Sequence, residues 1–145
     1  MANKSHQKRD AGCWYAEGLR FGCTGCCACC GGPPGYVWVD DREVAAIVAL
    51  LDVPEAQFRQ AYCRSVLGRV SLKERENGDC ALLDPKGCRI YPVRPSQCRT
   101  FPFWPDSLRT RVRWEAVQCR CPGVGQGRLY SRVEIERIAA GRGDT

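Results

Sequence analysis

The chain has 145 residues, twelve of them cysteine, and a formal net charge of +6. This length suits one domain with a modest core, whereas pure disulfide scaffolds are usually shorter. No apolar run is long enough to cross a bilayer, and the polar first residues do not resemble a secretory signal. We therefore expect a cytoplasmic protein with reduced cysteines, and clustered reduced cysteines indicate bound metal.

The densest cysteine segment covers residues 21–35 and reads FGCTGCCACCGGPPG. Packing alone would need one or two buried cysteines, so this number favours a thiolate metal site or a disulfide knot. Its glycines and prolines forbid a long helix and predict a tight loop. In an extended segment neighbouring side chains point to opposite sides, so Cys29 and Cys30 would fit poorly into one tetrahedral site. The pair predicts two metal centres or one spare cysteine.

The predicted domain covers residues 13–140, between a disordered tail at 1–12 and a short tail at 141–145. A β-prone run at 36–39 precedes a helix that begins at the capping-box pair Asp40 and Glu43. A second helix is predicted from Pro54, with Val66 on its apolar stripe. Cys63 is placed on this second helix as a packing residue.

Turns and short strands are predicted after the second helix. Asn77-Gly78 is typical of a hairpin, and the turn at 84–87 brings Cys80 and Cys88 to its two sides. One helical turn is predicted from Pro95, with Cys98 on it.

The last third of the chain combines a predicted strand with a predicted helix. Arginines alternate with other residues over 109–114, which favours a strand with one basic face. A capping box of Ser131 and Glu134 begins a final helix, whose apolar positions are Val133, Ile135 and Ile138. The expected fold class is α+β, a small irregular single domain with a few helices and short hairpins packed around a cysteine-rich metal core.

Eight cysteines lie in loops and turns where they could bind metal, which allows two sites of four ligands or one polynuclear site. They are Cys23, Cys26, Cys29, Cys30, Cys80, Cys88, Cys98 and Cys121. The expected cofactor is an iron–sulfur cluster or zinc, and the residues leave the choice between them open.

The motif CxxCxxCC is followed by DCALLDPKGCRIYPVRPSQCRTFPF and then by CPGVGQG. This combination resembles the YkgJ-type cysteine-cluster family over about residues 14–135. The resemblance implies a small bacterial domain that chelates zinc or iron, with the same eight cysteines as its conserved set. The chain departs from that set by adding Cys13, Cys27, Cys63 and Cys119.

Two arginines are predicted to support the metal centre. Prolines at 92 and 95 bracket Arg94 and stiffen the chain, and Arg99 follows Cys98 directly. Guanidinium groups donate several hydrogen bonds to anions and do not lose their charge. We expect Arg94 or Arg99 to donate to a cluster sulfur or to the backbone of the segment 21–35.

Three functions are compatible with these features, and a metal-binding module without an assigned physiological role ranks first. The second is a small metalloenzyme, for which Asp79, Tyr91 and Glu115 are the candidate acids or bases. The third is a zinc-stabilised nucleic-acid-binding module, ranked last because no helix carries a dense basic stripe. The single histidine, His6, lies in the predicted tail, which excludes a histidine-based catalytic triad. The expected partners are metal ions; a membrane and nucleic acid are not expected partners, and the sequence does not identify a protein partner.

Overall fold

The computed structural model of the protein describes residues 12–31 and 35–145, so the predicted tail lies outside the described residues as far as position 11. Helices and short antiparallel sheets confirm the α+β class. In chain order the elements are β1 (Leu19–Phe21), a 3-10 turn (Ala28–Cys30), β2 (Val37–Trp38), α1 (Asp41–Leu51), α2 (Glu55–Tyr62), β3 (Cys63–Val66), β4 (Arg69–Leu72), β5 (Leu83–Asp84), β6 (Gly87–Cys88), a second 3-10 turn (Tyr91–Val93), α3 (Ser96–Thr100), α4 (Pro105–Leu108), α5 (Arg111–Arg120), β7 (Arg128–Tyr130) and α6 (Arg132–Ala139). They form two compact units, one of residues 12–24 and 102–145, the other of residues 25–31 and 35–101.

Helix α1 begins where its capping box predicts. The Asp40 carboxylate accepts a hydrogen bond from the Glu43 N–H at 2.8 Å, and the Glu43 carboxylate accepts one from the Asp40 N–H at 2.9 Å. These bonds satisfy N–H groups that have no partner within the first turn. Val44 and Ile47 are fully buried on one face of the helix.

Helix α2 ends earlier than the sequence predicts. Phe58 is buried, but the helix stops at Tyr62 and Cys63 begins strand β3. Leu67 and Gly68 have φ angles of 49° and 79° and form the tight turn from β3 to β4. The helical placement of Cys63 and Val66 was therefore wrong, because pairing with β4 competes successfully with continuation of the helix.

Strand β4 is the central strand of a three-stranded antiparallel sheet in the order β2-β4-β3. The sheet and helices α1 and α2 enclose one core, whose buried residues are Val39, Val44, Ile47, Phe58, Cys63, Leu72, Leu82 and Ile90. Full burial of a side chain such as Leu82 or Ile90 stabilises the fold by about 1.5–3 kcal/mol. Because these two residues follow Cys80 and Cys88 at a distance of two positions, their burial also fixes the backbone that carries both cysteines.

The turns between the sheet and α3 follow the predicted pattern. Asn77 Oδ1 accepts a hydrogen bond from the Asp79 N–H at 3.0 Å, and Glu74 forms a β-bridge with Cys80 across this turn. Strands β5 and β6 pair across the turn at 84–87, with Leu83 opposite Cys88. Helix α3 begins directly after Pro95 and carries Cys98, as the sequence predicts.

The other unit has an aromatic core beside the antiparallel pair of β1 and β7. The Phe103 ring stacks on Trp114, with 5.6 Å between ring centroids and 3° between ring planes. Tyr130 on β7 meets the same Phe103 ring edge to face, at 5.0 Å between centroids. Gly123 approaches the backbone so closely that an added Cβ would lie 2.2 Å from the carbonyl oxygen of Gly22. A side chain at this position would therefore force the two backbones apart.

The strand predicted over residues 109–114 was wrong, because this segment opens helix α5. The Thr110 side chain accepts a hydrogen bond from the Arg113 N–H at 3.2 Å and caps the helix. Trp114 is buried against Phe103, whereas Val112 is 74 % exposed. The alternating pattern therefore does not correspond to a buried face and an exposed face.

Helix α6 has the predicted capping box. The Ser131 side chain accepts from the Glu134 N–H at 3.3 Å, and the Glu134 carboxylate accepts from the Ser131 N–H at 2.8 Å. Ile135 and Ile138 are buried, but Val133 is 74 % exposed, so its assignment to the apolar face was wrong. Among the described residues, no helix is both long enough and apolar enough to span a membrane.

Candidate metal centre

The two adjacent cysteines lie on a 3-10 turn. The turn covers Ala28–Cys30, and the Cys30 N–H donates to the Cys27 carbonyl oxygen at 3.0 Å. The thiols of Cys29 and Cys30 lie near enough that hydrogen bonding between them shifts both pKa values, down at Cys29 and up at Cys30. The expectation that these side chains point to opposite sides was wrong, because it assumed an extended backbone.

The Cys30 thiol also hydrogen-bonds to the thiol of Cys88, which lies on β6. Hydrogen bonding from Cys30 is the main cause that lowers the pKa of Cys29 to about 7 and the pKa of Cys88 to about 6. The pKa of Cys30 is raised, since it serves as the donor to both neighbours and keeps its proton. Near neutral pH, Cys88 is therefore mostly a thiolate and Cys29 is partly one, while Cys30 keeps its proton.

Backbone groups two residues further along the chain face the sulfurs of Cys80 and Cys88. Leu82 hydrogen-bonds to the Cys80 sulfur through its backbone, and Ile90 does the same for Cys88. Such backbone donors favour the thiolate. At Cys80 burial has the larger effect, and it raises the pKa of the thiol.

Cys98 is presented by helix α3. Its N–H donates to the Pro95 carbonyl oxygen at 2.9 Å, which begins the helical turn. Burial, and then the charges of the nearby Cys80, Cys29 and Cys88, raise the pKa of Cys98 to about 12. Cys98 is thus a protonated neighbour of the hydrogen-bonded thiols, and metal binding there would have to displace its proton.

The guanidinium group of Arg94 acts on the same thiols. Its positive charge lowers the pKa values of Cys29 and Cys88 after the larger effects of hydrogen bonding and burial, and that of Cys98 after the larger effects of burial and the neighbouring cysteines. The Arg94 Nε donates to the Tyr91 carbonyl oxygen at 3.0 Å, and its guanidinium lies 3.9 Å from the centroid of the Tyr91 ring. These contacts hold a permanent positive charge beside three candidate ligands.

Arg99, the second predicted arginine, contacts the chain that carries Arg94. Its Nε donates to the Arg94 carbonyl oxygen at 2.8 Å. Arg99 therefore restrains the position of Arg94 as well as following Cys98 in the sequence.

Cys27, which the eight-cysteine set leaves out, also lies among these thiols. The backbone of Cys88 is near enough to act on its pKa by hydrogen bonding, and its sulfur lies near the thiols of Cys29 and Cys26. Burial is the main cause that raises the pKa of Cys27. The CxxCxxCC motif leaves residue 27 as a variable position. The only sequence feature that suggested a metal-binding role for Cys27 was its location within the cysteine segment 21–35.

The family model named CxxCxxCC, a putative zinc- or iron-chelating domain, matches residues 22–120 of this chain. The chain belongs to this family. The matched residues include seven of the eight predicted ligands, and the eighth, Cys121, directly follows them. The resemblance seen in the sequence is thereby confirmed. No solved structure matches the chain.

The donor set of this CxxCxxCC protein fits zinc or iron chemically. Both metals bind cysteine thiolates, and backbone donors together with Arg94 would offset the negative charge of such a centre. Within residues 12–31 and 35–145, no three histidine, cysteine or carboxylate side chains are already arranged as ligands of one ion. Coordination therefore requires the hydrogen-bonded thiols to rotate towards the metal.

The remaining cysteines of the CxxCxxCC set differ in their surroundings. Cys26 is exposed and neighbours Cys27. Cys23 is exposed after β1, and Cys121 is buried at the end of α5, both in the unit of residues 12–24 and 102–145.

The other additional cysteines lie in different surroundings. Cys63 is buried in the core, as the packing interpretation requires. Cys119 is exposed on α5, and Cys13 hydrogen-bonds to the side chain of Tyr15.

The three candidate acids or bases occupy separate places. Asp79 belongs to the turn, where its carboxylate accepts a hydrogen bond from Asn77 Nδ2 at 3.1 Å. Tyr91 has the Arg94 guanidinium over its ring. Glu115 is exposed on α5, in the unit that does not contain Asp79 and Tyr91.

Proposed function

We propose that this protein binds zinc or iron through thiolates, with Cys29, Cys30 and Cys88 as the first ligands. Cys80, Cys98 and Cys26 belong to the same unit and complete the local donor set. Cys23 and Cys121 are proposed as ligands from the sequence pattern. When bound, a zinc ion would cross-link its ligands, and an iron–sulfur cluster would add the capacity to carry electrons.

The observation that carries this proposal is the meeting of the cysteine segment 21–35 with the hairpin region. The Cys80 N–H donates to the Cys30 carbonyl oxygen at 2.6 Å, and hydrogen bonding from Cys30 lowers the pKa values of both Cys29 and Cys88. Cys29 and Cys30 come from the dense run, and Cys88 comes from a hairpin much later in the chain. A fold without a use for these thiols would gain little from bringing them together, since isolated cysteines serve packing equally well. The positive charge of Arg94 beside the same thiols supports an anionic centre.

The proposal also covers the domain bounds, the partners, the cellular location and the roles of two arginines. We take residues 13–140 as the metal-binding domain and metal ions as its partners. A cytoplasmic location suits it, since thiols remain reduced there and available to metal. Arg94 and Arg99 are proposed to stabilise the bound centre, Arg94 by its charge and Arg99 through the Arg94 backbone.

The test is metal analysis and visible absorption of the full chain purified without oxygen. Sulfide-bridged iron colours the protein and is accompanied by acid-labile sulfide, whereas zinc leaves the protein colourless. A preparation that retains no metal and takes up neither zinc nor iron would contradict the proposal.

A variant pair connects the metal to the proposed ligands. Cys30→Ser removes the thiol that joins Cys29 and Cys88, and it should lower the metal content per chain. Cys119→Ser, an exposed cysteine on α5, is the matched control and should leave the metal content unchanged. Equal metal content in the two variants would argue against Cys30 as a ligand.

A further inference from the structure

Cys27 has an unusual backbone for a residue with a side chain. Its φ and ψ angles are 61° and 13°, in the left-handed region. Two other described residues besides glycine share a positive φ, Asp52 and Leu67. Asp52 caps the end of α1, and Leu67 lies in the β3–β4 turn, so local turns account for both. Backbone strain of this kind often occurs at functional sites, which directs attention to the contacts of Cys27.

The backbone of Cys27 supports the cysteine turn. Its carbonyl oxygen accepts the hydrogen bond from the Cys30 N–H at 3.0 Å, and Cys27 is the residue that precedes the 3-10 turn. Cys27, in its left-handed conformation, thus connects the first part of the cysteine segment 21–35 to the turn that carries Cys29 and Cys30.

The side chain of Cys27 faces the β5–β6 hairpin. Its thiol donates to the Gly25 carbonyl oxygen at 3.5 Å, and the backbone of Cys88 is near enough to act on the pKa of Cys27 by hydrogen bonding. At the preceding residue, Gly87, a Cβ would lie 3.8 Å from the Cys27 sulfur, and the φ of 120° there disfavours any side chain. The sulfur therefore packs directly on the hairpin backbone beside the Cys88 thiol.

The other additional cysteines have different neighbours. Arg59 and Lys73 are the charged groups that act on the buried Cys63. Cys13 hydrogen-bonds to Tyr15, and Cys119 is exposed on α5. Cys27 instead lies near the thiols of Cys26, Cys29 and Cys88.

We infer that Cys27 is a further metal ligand, which supplies a thiolate to the same zinc or iron centre as Cys29, Cys30 and Cys88. This inference rests on the proposed function and extends it. The four cysteines come from one turn and one hairpin, and four thiolates complete one tetrahedral ion, so that Cys26, Cys80 and Cys98 would bind a second ion of the centre. On binding, the Cys27 thiol releases its proton to solvent and its sulfur donates an electron pair to the metal.

The experiment uses cobalt(II) in place of the native metal, without oxygen and with the full chain. Cobalt accepts tetrahedral thiolate sites, and its sulfur-to-metal absorption band gains intensity with each cobalt–sulfur bond. With one cobalt bound per chain at this site, Cys27→Ser should lower the intensity per cobalt by about one quarter, as expected for the loss of one of four thiolates. The control variants, Cys119→Ser and Cys63→Ala, should keep the wild-type intensity.

A second measurement uses the unmodified chain, so it does not depend on the folding of a variant. Iodoacetamide labelling with and without cobalt, read by mass spectrometry for each cysteine, should show Cys27 protected by the metal. Cys119 should label equally in both samples.

The possible outcomes distinguish the claim that the protein binds metal from the claim that Cys27 is one of the ligands. If the unmodified chain binds no cobalt, zinc or iron, the proposed function itself fails. If the chain binds cobalt but Cys27 labels as fast with the metal as without it, the inference about Cys27 is wrong. The same conclusion follows if Cys27→Ser folds and keeps the full band intensity.

Discussion

The backbone N–H of Cys80 donates a hydrogen bond of 2.6 Å to the carbonyl oxygen of Cys30. This bond joins the dense cysteine run to the hairpin region through main-chain atoms. Replacing either thiol by a hydroxyl leaves the bond in place, because the side chains take no part in it. Serine variants at these cysteines therefore test metal binding with little disturbance of the local backbone.

Serine substitutions should divide the cysteines into ligands and packing residues. Cys80→Ser, Cys88→Ser and Cys98→Ser should each lower the metal content per chain, since each removes a thiolate from the proposed centre. Cys13→Ser and Cys63→Ser should retain the wild-type content. Metal analysis of the purified variants measures this, and an equal loss from Cys63→Ser and Cys88→Ser would contradict the division.

Removing the metal should destabilise the fold. A site that binds metal in the folded chain and not in the unfolded chain adds its binding free energy to stability, about 2.7 kcal/mol when the free metal is 100 times Kd. We expect excess chelator, or the paired change Cys23→Ser and Cys26→Ser, to lower the thermal midpoint followed by circular dichroism. An unchanged midpoint after confirmed loss of metal would disprove this dependence.

Glu43 should influence the metal centre without contacting it. One of its carboxylate oxygens accepts from the Ser96 N–H at 2.7 Å, while the other accepts from the Asp40 N–H at 2.9 Å. Glu43 thus ties the start of α1 to the start of α3, which carries Cys98. Glu43→Ala should lower the free energy of unfolding by about 2 kcal/mol and weaken metal binding as well.

The matched control for this effect is Asp40→Ala. It removes the α1 cap, at a cost of about 0.5–2 kcal/mol, but leaves the hydrogen bond from Ser96 to Glu43 intact. Chemical denaturation and metal competition should show that Asp40→Ala lowers stability alone. If the two variants bind metal equally well, Glu43 does not position α3 for binding.

Arg94 should strengthen metal binding through its charge. Arg94→Gln removes the positive charge near Cys29, Cys88 and Cys98, and losses of this supporting kind typically weaken metal affinity by about 10- to 100-fold. Arg94→Lys should recover part of the affinity. Arg59→Gln, which breaks ion pairs with Asp41 and Glu55 on the surface, is the control and should bind as the wild type does.

The thiols should differ in the pH at which they react. The thiolate is the nucleophile, so alkylation rises as pH increases through the pKa of each thiol. After metal removal, Cys88 and Cys29 should show midpoints near pH 6 and pH 7, because hydrogen bonding from Cys30 stabilises their thiolates. Cys98, with its pKa raised to about 12 mainly by burial, should stay largely unreactive across the neutral range.

Mass spectrometry of each labelled peptide gives these midpoints. The relevant quantity for each cysteine is the pH at which its alkylation rate reaches half of its maximum. The maximum rate itself is not compared, because it also depends on how exposed the thiol is. Coincident midpoints for Cys88 and Cys98 would show that the hydrogen bonding around Cys30 does not control their ionisation.

Local signals account for the elements that the sequence predicts correctly. The capping boxes at Asp40 and Ser131 specify where α1 and α6 begin, because each satisfies backbone N–H groups within four residues. The turn at 84–87 and the proline before α3 act over similarly short distances. The positions of these helix starts and of this turn depend only on residues that are neighbours in the chain, so a single sequence is sufficient to predict them.

The incorrect predictions concern segments whose structure depends on distant partners. The residues from Cys63 to Val66 fit a helical stripe, but β4 pairs with them along their whole length. Trp114 similarly finds its partner in Phe103, and the segment around it becomes helical from the Thr110 cap. Short segments have only weak intrinsic preferences for helix or strand. Strand pairing or ring stacking with a distant partner therefore outweighs those preferences.

The sequence by itself determined the family of this protein. Its cysteine spacing places it in the CxxCxxCC family, which is described as a putative zinc- or iron-chelating domain. Only the tertiary structure decided which thiols meet: the 3-10 turn aligns Cys29 with Cys30, and buried Leu82 and Ile90 hold the hairpin that brings Cys88 to them. It also brought Cys27 to the same hairpin, which motif spacing does not predict. The physical reason is that motif spacing gives only the separation of cysteines along the chain. Metal binding depends instead on the distances between sulfur atoms in the folded protein. Those distances are set by the burial of core residues such as Leu82 and Ile90.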